Sequence, residues 1–271
     1  MAKISNLKDI SNRLTQIKSL PKSINDWLEE KNGLSESLDG LRGRCQQLTK
    51  SAMELLFPMQ CLGCGREATA LCDTCMAALP RLKPPYCEKC SQPDVTGVCH
   101  WCSESPLLTD GIHSVCLLEG VARESVHSLK YRNVRTLAPY LGRLLAEHLE
   151  AHPLPTEVIV PVPLHPKRLR DRGYNQAGLL AQELSKLTGI PLDEEMLVRS
   201  KNSPSQVRSA TREQRQSNVE DGFHALGDPN GKGVLLIDDV ATTGSTLSAC
   251  AGALKQAGAR SVWGLTLAKE P

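Results

Sequence analysis

The run Val234–Thr246, VLLIDDVATTGST, constrains the fold of this chain more tightly than any other stretch. Val234, Leu235, Leu236 and Ile237 are consecutively apolar, too few for a helix of their own, and read as a strand buried on both faces of a parallel sheet. Asp238 and Asp239 follow that strand directly. Ala241, Thr242, Thr243, Gly244, Ser245 and Thr246 then supply small side chains, hydroxyls and one unconstrained backbone position ahead of a helix opening at Leu247-Ser248-Ala249. Strand, small-residue turn and helix N-terminus together form an anion site, because backbone N–H groups converge there and the helix dipole favours negative charge. Two carboxylates beside such a cradle repel a bare phosphate but accept hydrogen bonds from two ribose hydroxyls, so the expected ligand is a ribose 5-phosphate. The run lacks the Gly-Lys-Ser/Thr ending of a Walker loop and the Gly-x-Gly-x-x-Gly spacing of dinucleotide binders.

At every class of position the run resembles the motif of type I phosphoribosyltransferases, which bind phosphoribosyl pyrophosphate (PRPP). The resemblance implies an α/β fold, a parallel sheet flanked by helices.

The chain has 271 residues, enough for one sizeable core and more than one average domain. Aromatics make up 3%, against binding by extended stacking of bases, and the net charge of +2 shows no global polyelectrolyte character. The N-terminus has no apolar core of a secretion signal, and no apolar run approaches the ~18 residues needed to cross a bilayer, so a cytoplasmic protein is expected, with no membrane insertion.

Eight of the eleven cysteines form four Cys-x-x-Cys pairs: Cys61/Cys64, Cys72/Cys75, Cys87/Cys90 and Cys99/Cys102. Each pair is a knuckle that places two thiolates on one metal, and two knuckles complete the tetrahedron of a structural Zn²⁺. Two zincs are expected. Sequential pairing is the simplest arrangement, and the spacing also accommodates a crossed one of the first knuckle with the third. So small a segment has too little apolar surface to fold without metal. His100 reads as a solvated neighbour and not a ligand; Cys45, Cys116 and Cys250 read as small buried residues.

Three segments are expected: a helical extension over 1–57, the double zinc module over 58–104, and an alternating strand and helix domain over 105–271. In the first, Leu7, Ile10, Leu14 and Ile17 make one apolar helix stripe, and Met53 offers an alternative start. In the third, strands are expected at Gly111–Leu118, Glu157–Val160 and Ser261–Leu267. Helices are expected around Val121–Leu129, Leu141–Leu149 and Gln176–Leu187.

Behind the second strand lies Pro161-Val162-Pro163-Leu164-His165-Pro166, then Lys167, Arg168, Arg170 and Arg172 against one Asp171. A basic loop at the carboxyl end of a strand in the same parallel sheet lies where open α/β sheets bind ligands, and suits a pyrophosphate. The polar stretch between Arg199 and Phe223, with Arg199, Lys201, Arg208, Arg212 and Arg215, reads as a lid.

The order of parts resembles the ComF family: zinc knuckles, Leu129-Lys130-Tyr131, Pro161-Val162-Pro163-Leu164-His165, Arg172-Gly173-Tyr174-Asn175-Gln176, a Gln206/Arg215/Asn218/Gly222-Phe223 segment, and the Val234–Thr246 run. The resemblance implies that Asp238 and Asp239 hold the ribose hydroxyls, that Ala241, Thr242, Thr243, Gly244, Ser245 and Thr246 hold the 5-phosphate, and that Lys167, Arg168 and Arg172 hold the pyrophosphate with Mg²⁺. It implies a link to natural competence, with single-stranded DNA and competence helicase or translocation proteins as partners. Phosphoribosyl transfer, with Asp238 and Asp239 as the catalytic pair, and PRPP sensing are the alternatives. Ser209-Ala210-Thr211 stands where the family carries a leucine region, and the extension over 1–57 is a second departure.

Overall fold

The structure, a computed structural model, describes residues 59–67, 69–199 and 222–271. The readings placed on 1–57, on Cys45 and on the lid over 200–221 lie outside the described residues. Gln60–Pro271 form one compact unit.

The zinc module contributes two short helices, α1 (Asp73–Ala77) and α2 (His100–Glu104). Strand β1 (Gly111–Leu117), helix α3 (Gly120–Tyr131), helix α4 (Ala138–Ala151) and strand β2 (Val158–Pro161) follow. Next come α5 (Pro166–Arg172), α6 (Gln176–Thr188) and two short strands, β3 (Leu197–Arg199) and β4 (Phe223–Ala225). Strand β5 (Gly233–Ala241), α7 (Ser245–Gln256) and β6 (Ser261–Lys269) complete the chain. The main sheet runs β1-β6-β5-β2, every neighbour parallel, while β3 and β4 pair antiparallel apart from it.

Val234, Leu235, Leu236 and Ile237 are completely buried, as an unbroken apolar run predicts for a central parallel strand. Because side chains alternate along a strand, Leu235 and Ile237 enter one core with Leu141, Leu145 and Leu180, while Val234 and Leu236 enter another with Leu247, Cys250 and Leu254. Helices α4 and α6 therefore cover one face and α7 the other. Cys116 and Cys250 are buried, as expected.

Two expectations change. The strand does not stop at Ile237; it continues through both acids to Ala241, because β6 goes on pairing with it at Asp238↔Thr266, Val240↔Ala268 and Ala241↔Lys269. On the other side β2 ends at Pro161, opposite Ile237. Past that register, at both acids, β5 is paired with β6 alone. The basic segment is not a loop but helix α5. Pro166 takes its first position, where the missing N–H costs nothing, His165 Nδ1 accepts the Lys167 N–H at 3.1 Å, and Gly173 closes it with φ 79°.

The zinc module also seals a sheet edge. Leu82 N–H donates to the Val115 carbonyl at 3.0 Å, Leu117 N–H to Pro80 at 2.8 Å and Ile112 N–H to Lys89 at 3.0 Å, so the outer side of β1 is not left open to pairing with other chains. No helix among the described residues is long and apolar enough to cross a membrane.

Candidate functional site

Cysteine chemistry comes first in the chain. The Sγ atoms of Cys61, Cys64, Cys72 and Cys75 all lie within 4.8 Å of one another, as do those of Cys87, Cys90, Cys99 and Cys102. The pairing is therefore sequential. Two sulfurs bound to a tetrahedral Zn²⁺ with ordinary bond lengths sit about 3.8 Å apart. Cys64 and Cys72 are separated by 3.7 Å, and so are Cys90 and Cys99. The donor sets fit structural Zn²⁺. Burial raises the Cys61 thiol, but N–H donation from Cys72, Cys64 and Gly63 outweighs it and brings the group down to about 6; Cys87 is brought down to about 7 in the same way. Gly63 is required in the first knuckle, since a Cβ there would stand 2.6 Å from Cys75 Sγ. His100 is exposed and faces Glu104 at 3.3 Å, outside the cysteine set.

The turn after β5 is open. Thr242 is exposed, Thr243, Ser245 and Thr246 are partly so, and Thr242 and Thr243 line a cavity of about 560 Å³. Gly244, at φ 79°, caps the N-terminus of α7; a Cβ on it would also meet Ile112 Cδ1 at 2.8 Å. Thr243 Oγ1 and Ser245 Oγ lie 2.6 Å apart and Ser245 N–H donates to Thr243 Oγ1 at 3.3 Å, so the hydroxyls are gathered at the helix start.

The acids take opposite faces of β5. Asp239 is 3% exposed, and its Oδ1 accepts Lys130 Nζ of α3 at 2.9 Å, while its buried Oδ2 has no partner. Asp238 Oδ1 accepts the Asp239 N–H at 2.8 Å. Burial, and then the neighbouring Asp239 carboxylate, push the Asp238 carboxyl up to about 8. A carboxylate oxygen left unpaired in the interior is costly, and it fits a ligand hydroxyl or a hard cation as its missing partner.

Of the expected basic residues, Arg168 and Arg172 line a second cavity, of about 620 Å³, together with Lys130 and Tyr131; Lys167, exposed on the same short helix, is not on its wall. The Arg172 guanidinium lies 5.5 Å from the Tyr131 ring centre. Lys130 touches Asp239 and lines this cavity, so it ties the acids to the basic helix.

Three residues make contacts that the sequence did not assign. Lys130 was visible only as part of a family pattern, without a role. Lys269 is 1% exposed at the end of β6, where its Nζ donates to the Thr242 carbonyl at 2.5 Å and to the Glu270 carbonyl at 2.8 Å, bracing the turn after β5 from behind. Arg199 stacks 5.0 Å above the Phe223 ring and shares the α7 face with Asp238; burial lowers its ionisation. For Lys269 the sequence signal is its place at the end of the strand segment Leu265-Thr266-Leu267-Ala268.

Residues 169–271 match the family described as "Phosphoribosyl transferase domain" and residues 52–116 match "Double zinc ribbon domain". The competence protein F of Haemophilus influenzae is 38% identical over 140 residues, covering 49% of this chain and 61% of that protein. The DNA utilization protein YhgH of Salmonella typhi is 30% identical over 200 residues, covering 71% and 87%, and the competence protein ComFC of Bacillus subtilis is 27% identical over 231 residues, covering 82% and 90%. A solved purine phosphoribosyltransferase from Pyrococcus horikoshii is similar at 23% identity with a TM-score of 0.32, over 49% of this chain and 72% of that one. With two sequential cysteine quartets, an all-parallel sheet and relatives matched over most of their length, this chain belongs to the ComF family, in which a double zinc ribbon precedes a type I phosphoribosyltransferase domain.

Proposed function

We propose that this protein binds PRPP at the carboxyl end of β5 and serves the handling of internalised single-stranded DNA in the cytoplasm, as the names of its competence and DNA-utilization relatives suggest. The observation that carries the reading is the meeting of two strand ends. Helix α5 leaves β2 where β5 loses its partner, so arginines, acids and phosphate turn all belong to the carboxyl edge of one sheet.

In this reading the N–H groups and hydroxyls from Ala241 to Thr246 take the 5-phosphate, and Asp238 and Asp239 accept from the ribose hydroxyls. Arg168 and Arg172, with Lys167 at the rim, take the pyrophosphate with Mg²⁺, whose charge would offset that of the phosphates. The segment division 1–57, 58–104 and 105–271 belongs to the same proposal, with the zinc module as a metal-held accessory. Calorimetry tests it: wild type binds PRPP in the presence of Mg²⁺, and the Asp238→Ala/Asp239→Ala double variant does not. Equal affinities would reject the site. For DNA, retention of a single-stranded oligonucleotide on filters should weaken steeply with salt. No retention at low salt would remove that half of the proposal.

Phosphoribosyl transfer is a second reading, favoured by the unpartnered Asp239 Oδ2. There an acceptor attacks C1 of the ribose, the C1–O bond breaks, and pyrophosphate leaves toward the arginines. Incubating labelled PRPP with bases and amines and scoring pyrophosphate release decides it.

A further inference from the structure

The second cysteine quartet stands apart from the main core and packs on Val95 and Leu107. Its ribbon is nevertheless fastened to the sheet and to α7. Ile112 of β1 donates its N–H to the Lys89 carbonyl at 3.0 Å, and its own carbonyl accepts Ser91 Oγ at 2.7 Å. Beyond α2, the Leu108 N–H donates to Ser248 Oγ of α7 at 2.9 Å. This ribbon also walls the cavity of about 560 Å³ beside the turn after β5, contributing Trp101, Val95 and Gln92, while the turn contributes Thr242 and Thr243. Trp101 lies in α2 between Cys99 and Cys102 and is 51% exposed. We propose that this cavity is a nucleobase subsite, in which the Trp101 indole stacks on the base of a nucleotide whose 5′-phosphate is held at the turn. The inference rests on the reading of that turn as a phosphate site.

Three features support the assignment. The cavity has the size of a small-molecule site, which runs from about 300 to 1,000 Å³. Its chemistry suits a base: an indole offers a flat π face to any of the four, and the Gln92 amide and the Thr242 hydroxyl can each donate to and accept from a ring edge. Its walls are also set before a ligand arrives. Cys99 and Cys102, which share one donor set, fix α2 on both sides of Trp101, and the buried Lys269 holds the Thr242 carbonyl on the side of the turn. A platform that need not be ordered on binding spends less of its contact energy on lost freedom. Neither Asp238 nor Asp239 lines the cavity, so the subsite adds a wall to the phosphate turn that the acids do not supply. The second ribbon thereby acquires a role in recognition that its sparse packing leaves unexplained.

Calorimetry on the full, zinc-loaded chain tests this with adenosine 5′-monophosphate, adenosine and ribose 5-phosphate. Wild type should bind the monophosphate more tightly than ribose 5-phosphate, because only the former carries a ring to the indole. Trp101→Ala should lower the affinity for adenosine monophosphate about five- to a hundredfold and leave that for ribose 5-phosphate unchanged. Zinc content should stay the same, since Trp101 is half exposed and is not a ligand. Trp101→Phe, which keeps an aromatic face, should recover most of the loss. A 5′-phosphorylated single-stranded oligodeoxynucleotide separates the two sources of such a base. If it displaces adenosine monophosphate and binds the Ala variant more weakly, the base belongs to a strand end; if it displaces nothing, the occupant is a free nucleotide, and either result upholds the subsite. Equal affinities of wild type and Trp101→Ala for adenosine monophosphate, or no gain of that ligand over ribose 5-phosphate in wild type, would overturn it. Ribose 5-phosphate that fails to bind while adenosine still binds through Trp101 would overturn the phosphate reading of the turn and spare the base wall.

Discussion

Replacing Lys130 by Met removes the one cation that touches Asp239 among the described residues, at 2.9 Å, with the two side chains 23% and 4% exposed. At that distance and an effective dielectric of about 20 the attraction is about 6 kcal/mol, much of it spent on desolvating the two charges. Removing one partner does not refund that desolvation, because Asp239 stays buried with both carboxylate oxygens unpartnered. Breaking a buried pair this way costs about 3–5 kcal/mol, and the partial exposure of Lys130 sets the expectation near the lower end, about 3 kcal/mol. For a unit of this size that lowers Tm by about 6–12 °C in a calorimetric scan. Lys130→Met/Asp239→Asn, which removes both charges, should recover more than half of the loss. A single variant within about 1 kcal/mol of wild type, or a double variant whose losses merely add, would refute the claim that the pair is buried and coupled.

The two zinc sites should respond unequally. Cys72→Ser loses a zinc from a cluster packed into the main core with Val115 and Leu129, and should abolish cooperative unfolding, whereas Cys90→Ser strips a cluster packed only on Val95 and Leu107 and should shift Tm far less. Equal shifts, read alongside zinc content, would contradict this. Gly244→Ala forces an L-residue to φ 79° and drives a methyl group to 2.8 Å from Ile112, so it should cost about 1–3 kcal/mol and weaken PRPP binding, by chemical denaturation and calorimetry. An aspartate carboxyl held at about 8 in the folded chain but near 3.8 unfolded makes the native state bind more protons between those values. Its contribution to stability is therefore greatest below pH 4 and is lost as pH rises toward 8, at up to about 1.4 kcal/mol per pH unit. Wild type should lose stability relative to Asp238→Asn across that window; a difference independent of pH would contradict the burial of Asp238.

Val234–Ile237 announced a doubly buried strand because consecutive apolar residues leave no polar face, and the cysteine spacing announced zinc because only a tight knuckle sets two thiolates on one ion. Those features are local in the chain, and local geometry follows from residue order. The end of β2 opposite Ile237, the division of Asp238 and Asp239 between two faces, and the contact of Lys130 with Asp239 are of another kind. Each depends on where β2 stops against β5 and on which helix lies over which face. The turning of the basic segment into α5 lay between the two: Pro166 permits a helix start as readily as it ends a strand, and the N-cap bond from His165 decides for the helix. The contact of His113 with His148 lies at the far extreme, since the two are strangers in the chain and become neighbours only when α4 packs across the sheet. Residue order thus determined the strand, the small-residue turn that follows it and the cysteine knuckles. Tertiary packing alone decided which charges meet, because the energy of a charge depends on burial and on partners that only the folded chain brings within a few ångströms.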